Sequence, residues 1–112
     1  MQLSNRFSEE DRAVWVFEHS CCNCNSNQGL ALHHCYGCRG VYNNSIVNSI
    51  MLCSECHRKA DGENTHQTGN LLRIKYLEMT LRQLVKVEYC FTENDSKFLE
   101  SVQADVDYIL KK

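Results

Sequence analysis

The strongest hydrophobic pattern in the chain lies in its C-terminal half. From Leu71 to Val87, apolar residues recur every three or four positions, which is the spacing of one face of an α-helix. The predicted stripe consists of Leu71, Ile74, Leu77, Leu81, Leu84 and Val85. A second helix is predicted over about Ser96–Leu110, with Asn94 or Asp95 as its N-cap. Its buried face would consist of Phe98, Leu99, Val102, Val106 and Ile109.

The N-terminal part of the chain predicts one more helix. Ser8 and the three acidic residues after it are typical of a capped helix start, and the helix would run to about His19. We expect Trp15 and Phe17 to pack this helix on the core.

The middle of the chain predicts a hairpin followed by a helix. Short strands are expected at Leu30–His34 and at Ile46–Leu52, the second because it carries β-branched residues in loose alternation. Glycines and asparagines in residues 36–45 indicate a loop between them. Ser54–Ala60 is compatible with a helix that ends at Asp61-Gly62. The local architecture is therefore ββα.

Length and cysteine content favour a metal-stabilised domain. The 112 residues are expected to form one domain (1–112), with a C-terminal helical part over about residues 69–112. A domain of this size buries only about two-thirds of its unfolded surface, so a structural zinc ion, contributing about 10 kcal/mol, would stabilise it strongly. The first eleven residues are polar and no stretch approaches the length of a membrane span. We therefore expect a cytoplasmic protein whose eight cysteines include metal ligands, with a secreted disulfide-bonded domain as the alternative.

The net charge of −2 does not by itself indicate a nucleic-acid-binding protein. The charges are unevenly placed, because acidic residues collect towards the two ends of the chain. Basic residues prevail in the middle, where the sequence has Arg39, Arg58, Lys59, Arg73, Lys75, Arg82 and Lys86. A positive face over the cysteine region is therefore compatible with the sequence.

Two Cys-x-x-Cys pairs, Cys21/Cys24 and Cys53/Cys56, flank the predicted hairpin. Each such turn presents two sulfurs at a separation that suits a tetrahedral zinc ion, so one ion could tie the ends of the hairpin together. A third pair, Cys35/Cys38, leaves a second arrangement open, since it could instead join Cys53/Cys56 at an ordinary zinc-ribbon spacing. The two remaining cysteines, Cys22 and Cys90, are expected to be small buried hydrophobic residues.

The same region resembles the HNH nucleases, the ββα-metal family. The family pattern is Cys-x-x-Cys, a His-His or Asp-His doublet at a strand end, and an Asn five residues before Cys-x-x-Cys-His. This chain has Cys21/Cys24, His33-His34, Asn48, Cys53/Cys56 and His57 at those positions. The resemblance covers residues 21–62, and the ending at residues 56–62, followed by Thr65-His66, is similar to small phage and prophage members.

The resemblance implies an α+β fold, with a small zinc-stapled ββα-metal core at about residues 21–62, a flanking N-terminal helix and two C-terminal helices. His34 would be the general base that deprotonates the attacking water, and His33 and His57 would bind a catalytic divalent cation such as Mg²⁺. Asn48 would brace the loop that holds His34. The four family cysteines, Cys21, Cys24, Cys53 and Cys56, would bind a structural Zn²⁺ away from the reaction centre.

The implied function is metal-dependent hydrolysis of DNA, including nicked or branched DNA. An imidazole titrates near neutral pH and can accept a proton from water, and two protein ligands leave coordination positions open for phosphate and water. Arg39, Arg58 and Lys59 are candidate phosphate contacts, and Arg73, Lys75 and Arg82 are weaker ones. A homodimer formed through the Leu71–Val87 helix would allow both strands to be cut.

The chain departs from the family pattern in two places. Asp61 stands where many relatives have a further histidine, and Cys35/Cys38 stands where they have an apolar residue and glycine. His66 is either a neighbour of the catalytic metal or a linker residue, whereas His19 is expected to be structural. The rival hypothesis is a non-catalytic zinc module that binds nucleic acid or a protein. A redox protein is a third hypothesis, but the βαβ setting usual for its Cys-x-x-Cys motif is not evident.

Overall fold

The computed structural model of the protein describes residues 7, 15, 20–37, 42–62 and 71–111. Within these ranges the fold is α+β, with a two-stranded antiparallel sheet and four α-helices. The strands are β1 (Ala31–His34) and β2 (Ser49–Leu52), and a 3₁₀ turn (Ile46–Asn48) directly precedes β2. The helices are α1 (Ser54–Gly62), α2 (Leu71–Lys86), α3 (Glu93–Ser101) and α4 (Gln103–Leu110).

The predicted N-terminal helix lies outside the described residues, apart from Trp15. The Trp15 side chain is buried in the core, and its indole Nε1 donates a hydrogen bond of 3.0 Å to Ser49 Oγ at the start of β2. The prediction that Trp15 packs on the core is therefore confirmed. Phe17, His19, Cys38, Arg39, Thr65 and His66 also lie outside the described residues.

The predicted hairpin is present, with His33 opposite Ile50 and His34 opposite Ser49. The prediction of a strand from residue 46 is wrong for its first three residues, which form the 3₁₀ turn. Ser45 Oγ accepts a hydrogen bond from the Val47 amide at 3.1 Å and donates one of 2.6 Å to Asp95 Oδ1. The first bond caps the turn, and the second ties the capping hydroxyl to a carboxylate fifty residues further along the chain.

Helix α1 begins immediately after Cys53 and runs to Gly62, which agrees with the predicted end at Asp61-Gly62. Helix α2 has nearly the predicted bounds, but its buried face differs from the predicted stripe. Leu71 and Val85 are 67% and 73% exposed. Ile74, Leu77 and Leu84 of the predicted stripe are buried, and four further residues are buried beside them: Arg73, Tyr76, Thr80 and Gln83.

Polar contacts explain the orientation of α2. The Thr80 hydroxyl donates to the backbone carbonyl of Ser49 in β2, and Arg73 forms an ion pair with Asp105 in α4. These contacts turn polar side chains of α2 towards the core, and the ends of the apolar stripe are consequently left in solvent. The core itself lies between β2, the 3₁₀ turn, α2 and α3.

The predicted last helix is two helices. At Val102 the backbone leaves the α-helical conformation (φ −119°, ψ 30°), and α4 begins at the next residue. The N-cap of α3 is Thr92, not Asn94 or Asp95: Thr92 Oγ1 accepts from the Asp95 amide, and the Asp95 carboxylate accepts from the Thr92 amide in a capping box. The C-terminal part therefore contains three described helices where two were expected.

The expected buried face of this last segment is only partly confirmed. Phe98 is fully buried, whereas Leu99, Val102, Val106 and Ile109 are half-buried and pack at the edge of the core. Among the described residues, no helix has the length and apolar character needed to cross a membrane.

Candidate functional site

The four cysteines of the two flanking pairs come together in one cluster. The sulfurs of Cys21, Cys24, Cys53 and Cys56 all lie within 4.8 Å of one another. Cys24 Sγ is 3.7 Å from Cys53 Sγ and 3.6 Å from Cys56 Sγ. Tetrahedral zinc with Zn–S bonds of about 2.3 Å places its sulfurs about 3.8 Å apart. The cluster could therefore hold a structural metal ion such as zinc.

Backbone hydrogen bonds shape the two turns that carry these sulfurs. In the first turn the Asn25 amide donates to the Cys21 carbonyl at 2.9 Å, and Asn25 adopts a positive φ of 66°. In the second, the Cys56 amide donates to Cys53 Sγ at 3.4 Å as α1 begins. The Ser54 amide also donates to the Gln28 carbonyl at 3.2 Å, which joins the two turns directly.

Gly29 permits this close approach of the two turns. Its φ is +62°, and an added Cβ would meet the Ser54 side chain at 3.0–3.1 Å. Glycine is the residue that adopts a positive φ without steric cost. The loop after the first pair can therefore lie against the start of α1.

The thiols of the cluster differ in their tendency to ionise. Burial acts to raise the pKa of Cys21, but backbone hydrogen bonds from Cys53, Cys24 and Asn23 outweigh burial and lower this pKa to about 7. Although the Asn23 side chain lowers it, burial and the three neighbouring thiols raise the pKa of Cys56 to about 12. The Cys21 thiol therefore ionises before the Cys56 thiol, and a divalent cation is what would favour four thiolates together.

Cys35 is not part of the cluster. It is buried in the hydrophobic core, and burial raises the pKa of its thiol well above its ordinary value. The arrangement in which Cys35/Cys38 joins Cys53/Cys56 is therefore not the one in the structure. The expectation for the two remaining cysteines is also wrong in part, because Cys22 is half-buried but Cys90 is exposed.

His33 and His57 lie side by side next to this cluster. His33 is buried on β1, and His57 follows Cys56 in the first turn of α1. Their ring centroids are 4.8 Å apart, with an interplanar angle of 74°. The Tyr76 ring of α2 lies on the other side, 6.4 Å from that of His33. The hairpin and the start of α1 therefore bring two imidazoles together from positions 24 residues apart in the sequence.

His34 is held by two contacts that sequence analysis did not identify. Its ring stacks on that of Phe7 at a centroid distance of 4.0 Å and an angle of 17°, and its Nε2 lies 3.3 Å from Asn44 Oδ1. An amide oxygen only accepts hydrogen bonds, so this contact assigns the proton to Nε2 and the lone pair to Nδ1. Burial lowers the pKa of His34, and the charge of His57 lowers it further, while Asn44 acts in the opposite direction.

Asn48, the last residue of the 3₁₀ turn, is fully buried against the loop after His34. Its Oδ1 accepts from the Tyr36 amide at 2.7 Å, and its Nδ2 donates to the carbonyls of Gly37 (3.1 Å) and Asn43 (2.7 Å). The side chain therefore makes three hydrogen bonds with the backbone on both sides of this loop.

The candidate phosphate contacts fall into two groups. Arg58 and Lys59 are exposed on α1, directly after His57. Arg73 is 2% exposed, its Nη2 lies 3.3 Å from Asp105 Oδ2, and its guanidinium covers the Tyr36 ring at 4.1 Å. The prediction that Arg73 contacts phosphate is therefore wrong, since its charge is used inside the protein.

The two other candidate phosphate contacts on α2, Lys75 and Arg82, also have partners within the protein. Lys75 Nζ donates to Asn23 Oδ1 at 3.1 Å, and Arg82 pairs with Glu78 at 3.0 Å.

Within the described ranges, the four cysteines are the only group of three or more metal-ligating residues that lie close enough to share an ion. Compared with models of protein families, with curated proteins and with solved structures, the chain gives no match.

Proposed function

We propose that this protein is a metal-dependent endonuclease of the HNH type that hydrolyses phosphodiester bonds in DNA. The observation that supports this most directly is the meeting of the His33 and His57 rings, with His34 next on the same strand. This group lies beside a four-thiol cluster that is suited to a structural zinc ion. A metal-bound scaffold of that kind would hold the hairpin and the start of α1 in a fixed relative orientation. Catalysis requires this because the reacting groups must be held in the correct geometry.

The distance between His33 and His57 suits a shared cation. Two imidazoles that bind one ion through nitrogens at about 2.1 Å have ring centroids about 4.6–5.3 Å apart for N–metal–N angles of about 90–109°, and the observed distance is 4.8 Å. A divalent cation bound there would stabilise negative charge on the scissile phosphate and on the leaving oxygen. Imidazole ligands suit Ni²⁺ and Zn²⁺ better than Mg²⁺, so the assay includes transition-metal ions beside Mg²⁺.

His34 is the proposed general base. Its lowered pKa keeps the ring neutral at pH 7, and its contact with Asn44 leaves the Nδ1 lone pair to accept a proton from the attacking water. Phe7 covers one face of the ring, so the imidazole is held by a stacking contact and a hydrogen bond. Asn44 thus has the orienting role that a third residue has in many base-assisted sites.

Asn48 would keep this base in place indirectly. Its three hydrogen bonds hold the backbone at Tyr36, Gly37 and Asn43, between His34 and its partner Asn44. DNA would approach over α1, where exposed Arg58 and Lys59 can contact phosphates without reading the bases. Four reduced thiols suit a reducing compartment, which supports a cytoplasmic location.

The second candidate function is a non-catalytic zinc module that binds nucleic acid or a protein. The burial of Arg73 favours the protein-binding form of this module, because it removes one cation from the face that would attract DNA and the net charge is already −2. The two candidates differ in one measurable property, which is cleavage.

The test is plasmid nicking by zinc-loaded protein with added Mg²⁺, Mn²⁺ or Ni²⁺. His34→Ala should reduce the cleavage rate by about 10²–10⁴-fold, the usual contribution of a general base, while zinc content and circular dichroism stay unchanged. Equal cleavage by both proteins would reject His34 as the base. Wild-type protein that binds DNA but cleaves it with none of these ions would favour the zinc module.

A further inference from the structure

Asn23 contacts thiols from both cysteine pairs. It lies in the first turn, where its backbone amide donates to Cys21 Sγ at 3.4 Å. Its side-chain Nδ2 donates to Cys56 Sγ, in the other pair, at 3.3 Å. Asn23 is itself exposed, so burial does not impose the position of its side chain. Asn23 therefore contacts two sulfurs that are 35 residues apart in the sequence, one through its backbone and the other through its side chain.

The oxygen of the Asn23 side-chain amide accepts a hydrogen bond from a cation. Lys75 Nζ, on the exposed surface of α2, donates to Asn23 Oδ1 at 3.1 Å. A positive charge at the amide oxygen draws electron density from the amide nitrogen. The N–H group that faces Cys56 therefore becomes a stronger hydrogen-bond donor. Lys75, Asn23 and Cys56 thus form a chain of hydrogen bonds from α2 to the thiol cluster.

Such a chain matters because of the charge at a four-thiolate zinc site. Four thiolates and one Zn²⁺ carry a net charge of −2, and N–H donors and nearby cations disperse that charge. Outer hydrogen bonds also hold each ligand in the orientation that the metal requires. Both effects act on Cys56, the sulfur that Asn23 reaches with its side chain.

We propose that Asn23, polarised by Lys75, is an outer-sphere residue of the metal centre that holds Cys56 in its ligand position and stabilises the bound thiolate. Helix α2 then contributes to how tightly the two turns hold their ion, although it supplies none of the four sulfurs. This inference rests on the thiol cluster alone and is independent of nuclease activity, so either can fail without the other.

The alternative role of Asn23 is to shape the turn alone, and Asn23→Asp separates the two roles. Aspartate has nearly the same shape and would pair with Lys75 more strongly. It replaces the N–H donor with a negatively charged oxygen that faces Cys56 Sγ. An outer-sphere role predicts weaker metal binding than in Asn23→Ala, whereas a purely structural role predicts binding close to that of the wild type.

The experiment measures Zn²⁺ affinity of the full chain, reduced and metal-free at the start, by competition with a chromophoric chelator. The absorption spectrum of the Co²⁺-loaded protein reports thiolate coordination separately. Loss of an outer-sphere partner costs about 10–100-fold in metal affinity, and we expect a rise of that size in the Zn²⁺ dissociation constant for Asn23→Ala. Asn23→Asp should show a larger rise, together with a shifted sulfur-to-cobalt band.

The matched control is Asn27→Ala, in the same loop, because the Asn27 side chain bonds Gln28 and not a sulfur. It should keep the wild-type dissociation constant. Lys75→Met should raise the dissociation constant in the same direction as Asn23→Ala, by a smaller factor. An Asn23→Asp protein with wild-type affinity and cobalt spectrum would overturn the proposal. If the Asn23 variants do not fold, a wild-type dissociation constant in Lys75→Met would overturn it.

Discussion

Substitution of Asp105 by asparagine should destabilise the protein more than any conservative change on its surface. Asp105 Oδ2 accepts hydrogen bonds from the Tyr36 hydroxyl at 2.7 Å and from Arg73 Nη2 at 3.3 Å, and the Arg73 and Asp105 side chains are only 2% and 6% exposed. Burial and the Asp105 carboxylate raise the pKa of Tyr36 above its ordinary value, so its hydroxyl remains a donor. The substitution replaces the charged carboxylate with a neutral amide of nearly the same size.

The magnitude follows from the burial of the pair. Removing one partner of a buried ion pair costs about 3–5 kcal/mol, because the other charge stays in a medium of low dielectric constant. The stacking of Arg73 over the Tyr36 ring is the same before and after the substitution and does not change this difference. The asparagine oxygen can still accept a hydrogen bond, which places the loss at the lower end of the range. We therefore expect a loss of about 3 kcal/mol in the free energy of unfolding, and a fall in melting temperature of about 12 °C.

The assay is urea unfolding of zinc-loaded protein at a constant free zinc concentration, because bound metal itself shifts the apparent stability. The matched control is Asp107→Asn on the same helix, where the exposed carboxylate bonds only the exposed Gln103 side chain. Its effect should stay within about 0.5 kcal/mol. Equal effects of the two substitutions would refute the reasoning. The double variant Arg73→Met/Asp105→Leu, which removes both charges, should recover most of the loss.

Three further predictions concern the thiol cluster and the core. Cys21→Ser should lose its zinc and its cooperative unfolding transition, whereas Cys35→Ser should keep one zinc per chain. Elemental analysis measures the zinc content of both variants, and zinc retained in Cys21→Ser would contradict the ligand set. Asn48→Ala should lower the free energy of unfolding by about 3 kcal/mol, because three backbone groups lose the hydrogen bond that they make with this buried side chain. A change below about 1 kcal/mol in urea unfolding would count against the bracing role of Asn48. Trp15→Phe should cost about 1–2 kcal/mol through the lost bond to Ser49, and unchanged thermal unfolding would show that this bond is dispensable.

Much of the candidate site could be predicted from local sequence. The two Cys-x-x-Cys turns, the strand that ends in His33-His34 and the start of α1 each depend on a few neighbouring residues. The spacing of such motifs is sufficient to predict which residues share a turn or a strand. The resemblance implied that Asn48 braces the loop that holds His34, but its burial and the three backbone groups that it bonds became visible only in the structure.

The residues missed by sequence analysis share a physical property. Asn23, Asn44 and Phe7 act through contacts with side chains far away in the chain, and nothing in their own neighbourhood distinguishes them from loop residues. Asn44 had one weak signal, since its Asn-Asn doublet marks a turn opposite the histidines. Phe7 had no signal at all, because a single aromatic residue in a polar segment has no periodicity.

The sequence alone determined the elements and their approximate order: the hairpin, α1, and α2 to within one residue. Tertiary structure alone decided which cysteines share a cluster and which face of α2 is buried. It also decided that Arg73 and Asp105 form an internal pair and are not surface charges. Local elements follow from residues within one or two turns of each other, which a linear pattern records. A buried polar group is stable only with a partner, and that partner can lie anywhere in the chain, so the pattern of charges in the sequence does not reveal it.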